Sequence, residues 1–161
     1  MIEEELKRML GVRAVFWLGS GIEGDDTDGH IDDMVRFVGR DAVVSIVETD
    51  FSSPHDRAMG ENNERLQDLR CVDGSGVEVI PLPMPAPLHA EDWRLDQLPA
   101  SYANFLIVNE AVIVPVFNQP RNDDRALGIL RECFSGKQVI GVDARKLVLE
   151  GGAIHFPCFL R

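Results

Sequence analysis

Two hydrophobic periods alternate along the chain, and the alternation runs twice. Ile2, Leu6, Met9 and Leu10 recur at helical spacing and predict a helix over residues 2–10, stopped by Gly11. RAVFWLG (13–19) reads as a strand, and a loop rich in glycine and aspartate follows over 19–29. HIDDMVRFV (30–38) and AVVSIVE (42–48) read as two strands hinged at Gly39-Arg40-Asp41. A helix over 54–70 begins at Pro54 behind Ser53, and VEVIPLP (77–83) is a proline-punctuated strand.

The same order then returns. YANFLIV and AVIVPVF are strands joined at Asn109-Glu110, DDRALGILRECF (123–134) is an amphipathic helix closed by Gly136, and QVIGVD (138–143) is a strand. Strand, strand, helix, strand occurs twice, which predicts an internally repeated α/β architecture in a single domain over 1–161.

Composition narrows the function classes. A net charge of −11 argues against nucleic acid, which needs clustered Lys and Arg, and mildly favours a cationic small molecule. No apolar run approaches a membrane span, and the acidic start MIEEELKRML lacks the basic and apolar regions of a signal peptide, so the expected location is the cytoplasm. Three widely spaced cysteines, Cys71, Cys133 and Cys158, form no CxxC pair; neither zinc nor a disulfide framework is expected. Cys71 and Cys133 fall in or beside helical pattern and read as core thiols.

The chemistry concentrates in GIEGDDTDGHIDDMVRF (21–37). On a strand, His30, Asp32, Met34 and Arg36 share one face, while Ile31, Asp33, Val35 and Phe37 take the other, which reads as core apart from Asp33. An imidazole beside a carboxylate suits general acid–base work; a solvent-facing polar edge accounts for the same spacing equally well. A calcium loop fails here: with Gly29 at the glycine position, Gly24 and Val35 occupy positions that need ligands. His155 and Cys158, in GGAIHFPC, are a second constellation, a thiol near a backbone turn.

WLGSGIEGDDTDGHIDDMVRF resembles the central signature of the agmatine deiminase / bacterial-type peptidyl-arginine deiminase family, within the pentein superfamily. ASYANFLIVNEAVIVPVFN resembles its following N-F-x-x-x-N hairpin, and LEGGAIH the start of its glycine-rich nucleophile segment. The resemblance implies part of a five-module α/β propeller, about half of its ββαβ modules, corresponding to the C-terminal portion of a family chain. It implies hydrolysis of a guanidinium group: agmatine to N-carbamoylputrescine and ammonia, or the corresponding reaction of free or peptidyl arginine. His30 would be the acid–base, Asp32 the guanidinium carboxylate and Cys158 the nucleophile, with Asp26, Asp28, Arg36 and Asn109 in substrate binding. The family's nucleophile position aligns with Phe156, and Cys158 comes two residues later on the same strand face. No cofactor or metal is implied. A non-catalytic remnant or guanidinium-binding module is the alternative. A ring cut to half exposes edges, so the chain is expected to oligomerise or to need an N-terminal half.

Overall fold

The computed structural model describes residues 1–22, 24, 25, 29–47, 55–90 and 97–155. The expected repeat is present. In the first unit β1 (Val35–Phe37) pairs antiparallel with β2 (Ala42–Val47), α2 (His55–Leu66) crosses over, and β3 (Glu78–Pro83) lies parallel to β2. In the second, β4 (Leu106–Ile107) pairs antiparallel with β5 (Ala111–Val116), α3 (Pro120–Cys133) crosses over, and β6 (Gln138–Asp143) lies parallel to β5. Each unit is thus a ββαβ module with its second strand central.

The central strands are the most apolar and the most buried. Val43, Val44 and Ile46 of β2, and Val112 and Val114 of β5, are shut off from solvent, as expected of strands covered on both faces. The helices bury one stripe each: Met59, Asn62 and Leu66 on α2, and Asp123, Ala126 and Leu130 on α3, at helical spacing. One hydrophobic cluster joins the modules, with Tyr102, Ala103 and Phe105 in the connection between them. Phe105 meets Phe134 edge-on at 5.7 Å, and Tyr102 tilts against Phe117 at 5.5 Å.

Several elements differ from the sequence reading. The helix α1 (Ile2–Leu10) forms as expected, ending at Gly11 with a left-handed φ of 67°, yet none of its residues is buried. Ion pairs from Lys7 to Glu3 and Glu4 brace it. The expected strand at 13–19 is not one: it finds no ladder partner among the described residues, and alternation alone makes no strand. Helix α3 starts at Pro120 rather than Asp123. Asp123 serves that start from inside the first turn, its carboxylate accepting from the backbone N–H of Gln119 (2.8 Å) and Phe117 (3.1 Å) and from the Tyr102 hydroxyl (2.6 Å).

The largest difference falls on 30–38. Residues Ile31–Asp33 form a 3-10 turn and only Val35–Phe37 are strand. A 3-10 turn rotates side chains by about 120° per residue instead of the strand's alternation. The two-face assignment therefore fails: Met34 is buried, whereas Phe37, expected in the core, is 60% exposed.

Candidate active site

The site is built at the junction of the modules, from the loop before β1, the loop before β4 and the segment after β6. A close backbone approach and a side-chain anchor fix the first loop. Gly21 and Gly29 lie so close that a Cβ on Gly21 would sit 2.5 Å from the Gly29 Cα, and Gly29 holds a φ of 143° that only glycine adopts readily. From α2, Asn62 accepts from the Gly19 N–H (2.6 Å) and donates to the Ser20 carbonyl (2.9 Å), anchoring the loop's entry.

The pinched loop turns Asp25 toward His30. The His30 backbone N–H donates to Asp25 Oδ2 at 2.5 Å, and His30 Nδ1 lies 3.3 Å from Asp25 Oδ1. The Asp25 side chain is almost wholly buried while the imidazole is largely open to solvent. Asp25 therefore orients an exposed imidazole from below. Asp25, His30 and Asp33 also bring ligand atoms within 4.8 Å of one another, the one such grouping among the described residues. A metal there would compete with the proton that Asp33 retains.

Asp32 and Asp33 leave the 3-10 turn in different directions. Asp32 is partly exposed; Asp33 is only 2% exposed. Burial, and after it the neighbouring charges of Asp32 and Asp25, push the Asp33 carboxyl up to about 8, against a smaller opposing effect of the Asn104 hydrogen bond and Arg36. Asp33 thus keeps its proton at neutral pH, beside a partly exposed Asp32.

Asn104, 1% exposed and two residues before β4, ties these groups together. Its amide nitrogen donates to Asp33 Oδ1 at 2.9 Å and to Asp32 Oδ2 at 3.0 Å. Its amide oxygen accepts from the backbone N–H of Ala153 (3.2 Å) and His155 (2.9 Å). His155 Nδ1 reaches the same Asp32 Oδ2 at 2.7 Å. Both described hydrogen bonds to the Asp32 carboxylate fall on Oδ2. Ser101 completes the junction, donating to the Asp33 carbonyl at 2.7 Å. Asp32 and His155 line a cleft of about 1640 Å³ together with Arg36, Phe37, Phe16 and Val72.

The other expected residues are placed as follows. Arg36 is half-buried, donates to the carbonyls of Ala103 (3.2 Å) and Phe105 (2.7 Å), and stacks over the Phe105 ring at 4.6 Å; burial pulls its guanidinium below its ordinary value. It straps β1 to the second module. Asn109 sits in the exposed turn between β4 and β5, and its carbonyl accepts from Lys137 at 2.5 Å, away from the contacts of Asp32. Asp26, Asp28, Cys158 and Phe156 lie outside the described residues. Burial raises the Cys133 thiol, as befits an inert thiol at a helix end.

Three participants were missed by sequence reasoning: Asn104, Asp25 and Asp33. Asn104 stood in the quoted N-F-x-x-x-N motif, whose second asparagine was preferred. Its place just ahead of the first strand of a module is the signal that identifies it.

Comparison with known proteins agrees with this architecture. An agmatine deiminase of Medicago truncatula is 37% identical over 96% of this chain and 46% of its own length. Among solved structures, the agmatine deiminase of Enterococcus faecalis superposes with a TM-score of 0.88 at 33% identity, over 96% of this chain and 46% of that one. The substrate-bound agmatine deiminase of C. jejuni gives 0.85 at 32% identity, over 96% and 44%. The chain thus spans about half the length of the curated relatives it matches, and its two modules are part of the pentein fold. Residues 1–158 match the family described as Porphyromonas-type peptidyl-arginine deiminase, and the chain belongs to that family.

Proposed function

We propose that this chain carries much of the site of a guanidinium hydrolase, with agmatine as substrate. The observation that supports this most is the Asp32 carboxylate, held on Oδ2 by Asn104 and His155 and leaving Oδ1 for a planar cation in the cleft. The names of the relatives favour agmatine; that of the family favours peptidyl arginine, which the same carboxylate suits.

In this reading Asp32 receives the guanidinium N–H groups. The Cys158 thiolate attacks the guanidinium carbon, forming a C–S bond. His30, oriented by Asp25, gives a proton to the departing nitrogen, the C–N bond breaks and ammonia leaves. Water then adds to the thiouronium carbon as His30 takes its proton, the C–S bond breaks, and the ureido product and thiolate are released. The covalent step divides one difficult displacement into two.

The test is incubation with agmatine carrying ¹³C at the guanidinium carbon. The reading expects a ¹³C ureido product, lost in both Cys158→Ala and His30→Ala. No product, with saturable agmatine binding that depends on Asp32, would make the chain a guanidinium-binding module instead. Neither product nor binding would overturn both.

A further inference from the structure

Asp33 and Asn104 both stand in the segments that enter their modules, just ahead of β1 and β4. The junction of the modules brings them into hydrogen-bond contact at 2.9 Å. At one the chain has a carboxyl and at the other an amide, whose N–H groups serve Asp33 and Asp32 together. Every hydrogen-bonding capacity of the Asn104 side chain is used: two donated bonds to Asp33 and Asp32, two accepted from Ala153 and His155. An aspartate in its place would turn an acceptor toward the charged Asp32 and add a second charge beside it. An alanine would leave the Ala153 N–H and the buried Asp33 carboxyl without their partner, and the His155 N–H with only the backbone carbonyl of residue 104 at 3.2 Å.

We infer that Asn104 is a positioning residue, which aims the Asp32 carboxylate into the cleft and ties it to the segment leading to Cys158. This rests on the guanidinium-hydrolase reading for its consequence, though not for its geometry. Asn104 touches no substrate itself. It fixes one oxygen of Asp32 so that the other is presented, and it fixes the backbone of Ala153 and His155, three residues ahead of the thiol. Asp33, which keeps its proton, lets the amide serve two carboxyls with only one charge among the three groups.

Three variants test this in the whole chain. Asp32→Asn should move one of the two Asn104 side-chain amide protons and the ¹⁵N signal of His155 Nδ1. An Asn104 amide that ignores Asp32→Asn overturns the proposal, whether or not agmatine is a substrate. Asn104→Asp should displace the His155 Nδ1 signal, lower thermal stability and raise the KM for agmatine about ten- to a hundredfold, with a smaller change in kcat. The double variant Asp33→Asn, Asn104→Asp restores the donor–acceptor pair with reversed polarity but still faces Asp32 with an acceptor. Stability should return while the His155 Nδ1 signal and the KM stay perturbed. If all three return together, Asn104 is only structural and the proposal fails. If the wild-type chain neither binds nor turns over agmatine, the two NMR readouts still decide the positioning role.

Discussion

The two ββαβ modules follow one plan and do different work. Each has a central strand buried on both faces, a parallel partner across a helix and an antiparallel first strand. The second module is closed by apolar contacts and by one carboxylate, Asp123, that serves its own helix start. The first is entered through a loop that concentrates the ionisable groups Asp25, His30, Asp32 and Asp33. The contrast teaches that a repeated scaffold supplies the frame, and a site arises where the segments that enter the two modules meet. Asp33 and Asn104 make that contact.

The largest effect is expected where the second module is purely apolar. Leu130→Ala on α3, at a fully buried position, should cost about 2–5 kcal/mol in urea unfolding. A loss below about 1 kcal/mol would mean that α3 is not the clamp described.

The first module should show its difference as a pH dependence. The Asp33 carboxyl rises from an ordinary 3.8 to about 8 on folding. The unfolded chain releases this proton above the ordinary value; the folded chain holds it to about 8. Stability is therefore fully present below the unfolded value and declines as pH rises toward 8, by at most about 1.4 kcal/mol per pH unit. Urea midpoints at pH 5, 7 and 9 should fall in that order, and Asp33→Asn should flatten the slope. An unchanged slope in Asp33→Asn would place the titration elsewhere.

Arg36→Met probes the strap between the modules. It removes two hydrogen bonds and the stacking on Phe105 while keeping most of the apolar stem. A loss of about 1–3 kcal/mol is expected in thermal unfolding. Indifference would show that the apolar cluster alone joins the modules. The smallest effect belongs to Phe37→Ser: at 60% exposure, the change should stay within about 0.5 kcal/mol.

The repeat was legible in the sequence because its central strands are apolar but for Ser45 and its helices keep a helical stripe. Periodicity reports burial, and those elements are governed by burial. It failed over 13–19 and 30–34, where alternation exists without a ladder partner or is interrupted by a 3-10 turn. His30 and Asp32 stood out because charge was crowded around one histidine. Asn104 did not, because a buried asparagine has no periodic or charge signature. Its role depends on a contact to Asp33 across the module junction and on backbone N–H groups far along the chain. Asp25 was hidden for a related reason: its contact with His30 depends on a loop whose ends, Gly21 and Gly29, approach closely.

The most direct test of the central claim, that Asp32 receives a guanidinium, is calorimetric titration with agmatine and with putrescine, which has an amine where agmatine has the guanidinium. A chain with net charge −11 attracts both cations. The account predicts saturable binding of agmatine, weakened at least about tenfold by Asp32→Asn, with putrescine bound far more weakly and insensitive to that substitution. Equal binding of the two cations, or agmatine binding unchanged in Asp32→Asn, would contradict it.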